Sequence, residues 1–589
     1  MKLVDALVMC LRDWGVEHLF GVSGANVEHL HDAVIRLGDG RLQAILTKSE
    51  VGASFMADGG ARVHGRLGVC CSTSGGGMMN LAVGIAESYA ESVPVLAIVG
   101  QSPRALNGKG AFQDSSGIGR TVDALSMWNS ITKYAGVVQE PKLFWEQLQE
   151  AVGQALGGRQ GPVALLVPRD CWELEVGTKP TDFPQTLEEL VKNPPTTNEI
   201  AARSLFAHLK SYQAPVLLLG TGVARSPQGS EVIRFAQNAG VPVVTTMGNC
   251  ALFPQDDPLY LGIVGVAGHP SAHDYLNEHC DFIVAVGAGL NALTRGPIQQ
   301  AFERARTAIV NLDPGEAIRS VESADVVVGD AGDVFAVLNH RLNSQPFFKG
   351  RPFGYRRSYF VSQLVRPTAQ ASNDEPEQLL QSQAIDILNA YLPKRGHILF
   401  DAGNCAATSM HYLNIPPSCT TTIALGMGGM GYAIAAAIGV QLGAEEGTET
   451  IVFCGDGAFL MHGLEIHTAV EKQLPILFVV FNNQKHGMCL TRQQVFFDGR
   501  EGYTSYEHVD IAQIGLGLGG EGSIWVAKVS TKDELEACLT KHRARLKKGP
   551  AIIELLLPEE EMPPFTPFLE KGAPTYEIQV KPVSDVKVQ

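Results

Sequence analysis

The chain has 589 residues, 45% of them hydrophobic and 18% charged, with 63 glycines and 32 prolines. That is globular composition, so disorder, collagen and coiled coil are excluded as descriptions of the whole, and the length suits roughly three or four domains with cores of their own. With 46 basic and 61 acidic residues the net charge is −15, which gives no sign of a nucleic-acid footprint or of an affinity for anionic membranes.

Residues 1–20 carry Lys2 but no unbroken apolar stretch, because Asp5, Arg12 and Asp13 interrupt it. They read as an amphipathic helix, not a secretion signal. No run of about 18 apolar residues follows anywhere, so no membrane-spanning helix is expected. The 11 cysteines stand singly apart from Cys70-Cys71 and form no CxxC pair. This excludes a zinc ribbon or thioredoxin motif and suggests reduced thiols in a cytoplasmic protein.

Apolar strands at 43–46, 68–71, 94–99 and 163–167 alternate with helical patterns, and that alternation predicts a parallel sheet covered on both faces. A first domain is expected over 1–180, followed by a polar, proline-bearing linker at 179–197. A second domain is expected over 198–342, with strands at 215–220, 241–245, 282–286 and 308–312. A linker rich in Pro, Arg and Ser covers 343–377. The third domain, 378–560, has strands at 398–400, 450–453, 476–481 and 551–556. Residues 561–589 read as a C-terminal tail, unstructured or folded over a site. The predicted class is α/β, with three doubly wound parallel-sheet domains and no short-period repeat.

Chemistry concentrates in the third block. Gly455-Asp456-Gly457 follows one apolar strand and Asn482-Asn483 ends the next. An Asp and an Asn at successive strand ends can converge at the carboxyl edge of a parallel sheet, where open α/β sheets bind ligands. Their oxygens suit an octahedral Mg²⁺ that also holds phosphate, and Gly455 and Gly457 let the backbone approach a diphosphate. Each piece alone is an ordinary turn. Together they resemble the thiamin diphosphate motif, which implies that Asp456, the Asn483 side chain and the Lys485 carbonyl hold Mg²⁺.

That cofactor needs one placed carboxyl group to activate it. Glu50 is the candidate, although an acid in a first helical turn also simply complements the helix dipole. The run from Glu50 through Ala57-Asp58-Gly59, Thr73-Ser74-Gly75-Gly76-Gly77, Asn80-Leu81, Gly84-Ile85 and Val93-Pro94 to Gly100-Gln101 resembles the acetolactate synthase family, within the wider group of pyruvate oxidases and 2-oxoacid decarboxylases. Phe112-Gln113-Asp114 resembles that family's Phe-Gln-Glu element beside the reacting ring. The resemblance makes Glu50 the activating acid and sets Gln113 and Phe112 at the donor site. It implies that the Gly428 carbonyl binds the pyrimidine and that Met430 is a wedge bending the cofactor. Gly403, Asn404, Gly455, Gly457, Ala458, Gly487 and Met488 complete the implied cofactor site. It also implies pyrimidine-binding, central and diphosphate-binding domains, in a homodimer or homotetramer whose active sites are shared between subunits.

Departures from relatives narrow the reaction. Simple decarboxylases of the family protonate the enamine left after CO₂ loss, using an Asp where Ala25 stands here and an adjacent His pair that is absent, or a His at the position of Thr73. Without those donors, addition to a second carbonyl is favoured. Gly403-Asn404-Cys405-Ala406 replaces the usual Gly-Gln-His-Gln. Arg492 replaces a Trp and either clamps an anionic acceptor or is merely solvated. His486 is a proton carrier or a loop residue. Residues 287–293 lack the charged groups that contact FAD in flavin-containing relatives, so no flavin is expected. The loop Gly220-Thr221-Gly222 leaves nucleotide binding open. The expected activity is carboligation: a 2-oxoacid, pyruvate first, is decarboxylated and its enamine added to a second 2-oxoacid or an aldehyde. Alternatives are decarboxylase, C–C lyase or β-addition chemistry on the same cofactor, or a non-catalytic cofactor-binding regulatory subunit.

Overall fold

The computed structural model describes residues 1–191, 196–350, 357–361, 379–543, 549–557, 561–572 and 578–580. Three six-stranded sheets, each wholly parallel, follow one another along the chain. The first holds β1 (His18–Gly21), β2 (Gln43–Leu46), β3 (Gly68–Ser72), β4 (Val95–Gln101), β5 (Tyr134–Val137) and β6 (Val163–Pro168), in the order β2-β1-β3-β4-β6-β5. The second holds β7 (Pro215–Leu219), β8 (Val243–Thr246), β9 (Tyr260–Val264), β10 (Phe282–Val286), β11 (Arg306–Asn311) and β12 (Asp325–Val328), in the order β12-β11-β10-β7-β8-β9. After the short β13 (Ser358–Phe360), the third holds β14 (Gly396–Phe400), β15 (Cys419–Ile423), β16 (Glu449–Gly455), β17 (Ile476–Asn482), β18 (Trp525–Val529) and β19 (Ala551–Leu556). Its order is β15-β14-β16-β17-β19-β18.

Central strands such as β4, β6 and β17 are buried along their whole length. Helices cover both faces, so these strands read as continuous apolar runs. The expected α/β class with doubly wound parallel sheets is what the chain adopts. Among the strands that the hydrophobic pattern did not reveal, β5, β9, β12, β15 and β18 lie at sheet edges. Several are half solvated and lack a continuous apolar run, as β5, β12 and β18 illustrate. The expected helix over 1–20 is a correction: the helix is Leu3–Asp13, and after a turn at Gly15 (φ 80°) the chain enters β1.

The described residues of the C-terminal region include a helix and a strand. Helix Thr566–Gly572 packs on helix Gly487–Phe496, with the Phe496 and Phe568 rings 6.1 Å apart, and the Thr566 N–H donates to the Val266 carbonyl at 2.7 Å. A last strand, β20 (Ile578–Val580), pairs antiparallel with β13, inside the expected second linker. The first linker contains the short helix Leu187–Leu190. Residues 192–195, 351–356, 362–378, 573–577 and 581–589 of these segments lie outside the described residues. Among the described residues no helix is long and apolar enough to cross a membrane.

One helix crossing ties the first domain to the third. Helix Glu50–His64 lies against helix Tyr432–Leu442, and glycines permit the close approach. A Cβ on Gly439 would stand 1.9 Å from the Met56 carbonyl oxygen, and one on Gly59 2.7 Å from that of Ala436. Beside the crossing, buried Arg62 bonds Asp58 through Nε at 2.9 Å and stands 3.5 Å from Glu87 and 3.6 Å from Glu91. The Tyr432 hydroxyl donates to Asp58. Arg225 of the middle domain donates to the Glu91 and Ser92 carbonyls at 2.8 and 2.9 Å. Burial and the nearby Arg62 lower its pKa to about 10.

Candidate active site

Two groups of residues form at the carboxyl ends of the first and third sheets. The first gathers on loops after β1, β2, β3 and β4. Glu50 opens helix Glu50–His64, whose N-cap Ser49 hydroxyl accepts from the Gly52 N–H at 3.0 Å. Glu50 Oε2 accepts from Asn80 Nδ2 at 3.0 Å. A Cβ on Gly77 would lie 2.8 Å from Glu50 Oε1, so the glycine leaves the carboxyl its space. Gln113 has φ 61° and its side-chain oxygen accepts from the Thr73 hydroxyl at 3.3 Å. Gly75, itself at φ 66°, would set a Cβ 2.9 Å from the Gln113 side chain. A non-glycine residue held at positive φ is a strained conformation of the kind that gathers at functional sites. Phe112 is 84% exposed, so within one chain its ring stands in solvent.

The second group gathers after β14, β16 and β17. Asp456 opens helix Asp456–His462 and is buried. Its carboxylate accepts the N–H groups of Gly457 at 2.8 Å and Gln484 at 2.5 Å. Burial raises its pKa, opposed by the Tyr506 hydroxyl and by the Gly457, Gln484 and Lys485 N–H groups. Asn483 follows the end of β17, half-buried. Lys485 pairs with Ser505 in an isolated bridge, and Gln484 takes φ 59°. The Asn-Asn pair divides its labour. Asn482 Nδ2 donates to buried Glu554 on β19 at 2.6 Å, and Glu554 also accepts the Ala512 N–H at 2.9 Å. Asn482 is thus committed to the scaffold.

A Cβ on Gly457 would fall 2.7 Å from His486 Nδ1 and 3.4 Å from Met430 Cε. These three residues therefore meet with no room for a side chain on the glycine. The His486 ring packs edge-on against Tyr506 at 5.7 Å. Gly403 (φ 142°) caps helix Asn404–Tyr412. The buried Asn404 amide donates to the Thr491 hydroxyl at 3.1 Å. Through that bond it joins the helix opened by Gly487 and Met488. Cys405 is buried, its thiol 3.7 Å from the Asp401 carbonyl, and burial pushes its pKa far up. Ala458 is buried, and Arg492 is exposed.

The residues present fit a Mg-diphosphate group. Asp456, Asn483 and the Lys485 carbonyl would offer an all-oxygen donor set, of the kind Mg²⁺ prefers and phosphate oxygens and water complete. Among the described residues no group of three or more His, Cys, Asp or Glu is arranged to hold a metal. A Cβ on Gly455 or Gly428 would meet nothing within 4 Å, so the backbone is open there for a ligand. In the middle domain, the Gly222 N–H donates to the Gly287 carbonyl at 2.8 Å, and a Cβ on Gly220 would fall 2.5 Å from Ala288 Cα. The loops after β7 and β10 therefore pack directly on one another.

Several supporting residues escaped the sequence. Glu87, Asp401, Glu465, Tyr506 and Glu554 carry no motif, and only Asp401, just after an apolar strand, offered a positional clue; Asn80 lay in the run that carries the resemblance, without a role.

Family models match in chain order: the thiamine pyrophosphate enzyme N-terminal TPP binding domain over residues 1–119, the central domain over 202–338 and the C-terminal TPP binding domain over 401–555. A probable acetolactate synthase large subunit of Methanocaldococcus jannaschii is 30% identical over 572 residues, covering 96% of this chain and 94% of that protein. Acetolactate synthase isozyme 2 large subunit of Escherichia coli is 28% identical over 577 residues, with 98% of each chain covered. The chloroplastic acetolactate synthase 1 of Zea mays is 29% identical over 571 residues, covering 95% of this chain and 86% of that one. With its three domains matched in order and its length covered by these relatives, the chain belongs to the thiamin diphosphate-dependent enzymes and, among them, is acetolactate synthase-like.

Proposed function

We propose that the protein is a Mg²⁺-dependent carboligase that decarboxylates a 2-oxoacid, with pyruvate the favoured donor, and joins the remaining acyl unit to a second 2-oxoacid or an aldehyde. Thiamin diphosphate, when bound, supplies the electron sink that lets a 2-oxoacid lose CO₂ and its acyl carbon act as a nucleophile. Asp456, Asn483 and the Lys485 carbonyl hold the metal. Gly403, Asn404, Gly455, Gly457, Ala458, Gly487 and Met488 surround the diphosphate, and the Gly428 carbonyl and Met430 hold the rings. Glu50, oriented by Asn80, holds the proton at the pyrimidine nitrogen. Gln113 and Phe112 line the donor side. The Glu50 group of one subunit serves the Asp456 group of another, in a homodimer or homotetramer in the cytoplasm. Exposed Met427, Leu460, Met461 and Leu464 supply apolar surface for such a contact. No flavin takes part.

One observation carries carboligation over aldehyde release. Around Glu50 the chain presents Asn80, Thr73 and Gln113, an amide, a hydroxyl and an amide, none of which delivers a proton as readily as His or a carboxylic acid. The test is stoichiometric. With pyruvate as sole substrate, carboligation consumes two pyruvates per CO₂ released. A ratio of one, with free acetaldehyde, would refute the proposal.

A further inference from the structure

Residues 426–433 form the turn that carries Gly428 and Met430. Buried carboxylates from two different domains hold its two ends. Glu87, 1% exposed on helix Gly76–Ala90 of the first domain, accepts the N–H groups of Gly426 at 3.2 Å, Met427 at 2.6 Å and Gly428 at 3.2 Å. Asp401, 1% exposed and directly after β14, accepts those of Gly431 and Ala433, both at 2.8 Å. Gly428 and Gly431 take φ 67° and 82° on either side of Gly429 and Met430. The turn thus reverses through two left-handed glycines between two anionic clamps.

Backbone N–H groups bound to a carboxylate make charge-assisted bonds, stronger than neutral ones, and burial strengthens them further. Arg62 offsets the Glu87 charge at 3.5 Å and keeps Asp58 and Glu91 as further partners. A Gln at position 87 would therefore not leave the guanidinium unpaired. Such a turn needs no ligand to take its shape. Met430 is already poised against Gly457, with Cε 3.4 Å from where a Cβ would stand.

We propose that Glu87 and Asp401 are positioning residues that fix the Met430 turn in its cofactor-receiving shape before thiamin diphosphate arrives. The inference rests on thiamin diphosphate binding at this turn and not on the carboligation reading. Preorganisation of this kind improves affinity by removing the ordering cost from the binding step.

The test is amide hydrogen exchange on the full-length protein, free of cofactor and then with thiamin diphosphate and Mg²⁺, alongside cofactor titration by tryptophan fluorescence. In the wild type, the amides of residues 426–428, 431 and 433 should be protected without cofactor and change little when it is added. Glu87→Gln and Asp401→Asn should each expose those amides, leave helix Glu50–His64 exchanging as before, and weaken cofactor binding about tenfold or more. Glu87→Asp should recover part of the affinity. A turn that exchanges freely until cofactor binds, or variants that bind as tightly as the wild type, would overturn the proposal. The wild-type comparison decides even if a variant does not fold. A wild type that binds no thiamin diphosphate overturns this and the proposed function together, whereas normal binding with an unprotected turn overturns this inference alone.

Discussion

Glu50 is a carboxyl group held by one side-chain bond, from Asn80, in a space kept open by Gly77. Replacing it with Gln preserves shape and removes the acidic proton. Glu50→Gln should therefore lower kcat by about 10² or more while changing cofactor affinity only a few-fold. Unchanged turnover would remove Glu50 from the mechanism. Gly77→Ala inserts a methyl 2.8 Å from Glu50 Oε1. It should reduce kcat by about tenfold with little change in melting temperature, since Gly77 lies in the first turn of its helix and the carboxyl is what must move. The placement of Glu50, Asp456 and Asn483 beyond the carboxyl ends of β2, β16 and β17 was legible in the sequence, because an apolar strand precedes each of them. That of Glu87, Asp401, Glu465 and Glu554 as supports was not, because they work chiefly through backbone N–H groups that every sequence possesses, joined at Glu465 and Glu554 by the Ser49 hydroxyl and the Asn482 amide. Glu465, for example, accepts the Lys48 N–H at 3.1 Å and the Ser49 hydroxyl at 2.9 Å across more than 400 residues of chain.

At the scale of elements, the crossing of helix Glu50–His64 over helix Tyr432–Leu442 sets the axis on which Glu50 rides. Gly439→Ala would drive a methyl to 1.9 Å from the Met56 carbonyl oxygen, a backbone atom that cannot swing aside. The variant should lose about 1–3 kcal/mol of stability in urea unfolding and lose activity beyond that, because the displaced helix carries Glu50. A Gly439→Ala protein with wild-type stability and activity would show that this crossing does not position the acid. The hydrophobic pattern revealed the central strands other than β1, and the edge strand β2, and left β5, β9, β12, β15 and β18 undetected. Central strands lie between two helical layers and are apolar throughout. β5, β12 and β18 are half solvated, which weakens their signal, whereas the buried β9 and β15 are short runs broken by Gly262 and by Thr420–Thr422. The pattern over 1–20 failed differently: after the helix ends at Asp13 and the chain turns at Gly15, its last residues enter the four-residue β1, too short for alternation to register.

At the scale of the whole molecule, a buried histidine cluster joins the middle domain, β13 and the third domain. The His269 and His411 rings stack 4.6 Å apart. His269 Nδ1 accepts the Ile263 N–H at 2.9 Å, and His411 Nε2 accepts the Phe360 N–H at 3.0 Å. Both rings are therefore neutral acceptors. Burial lowers the pKa of His411 to about 3 and of neighbouring His273 to about 4, and holds His269 well below the usual range, with Arg357 adding repulsion to His269 and His411. The unfolded chain takes up protons near pH 6.5 and the folded one does not, so these histidines stabilise the fold above that pH and the contribution falls away as pH drops. Each should cost on the order of 1–2 kcal/mol by pH 5. Asp401, raised by burial to about 6, and other buried carboxyl groups such as Asp456 work in the opposite sense by gaining protons in the folded state, while further buried histidines, His397 and His542 at about 4 among them, add to the effect of the cluster. Calorimetry should show a melting temperature that falls between pH 7.5 and 5.5, and one that holds steady or rises would contradict the neutral cluster. None of this was legible in the sequence, where His269 and His273 stand four residues apart and His411 lies more than 130 residues away. The carboligase reading itself is tested most directly by mass-spectrometric product analysis. The protein is supplied with Mg²⁺, thiamin diphosphate and pyruvate, alone and with a panel of acceptor aldehydes and 2-oxoacids. Acetolactate from pyruvate alone, or a mixed acyloin with an added acceptor, is the expected result. Free acetaldehyde as the sole product, or pyruvate left unconsumed under every condition, would contradict it.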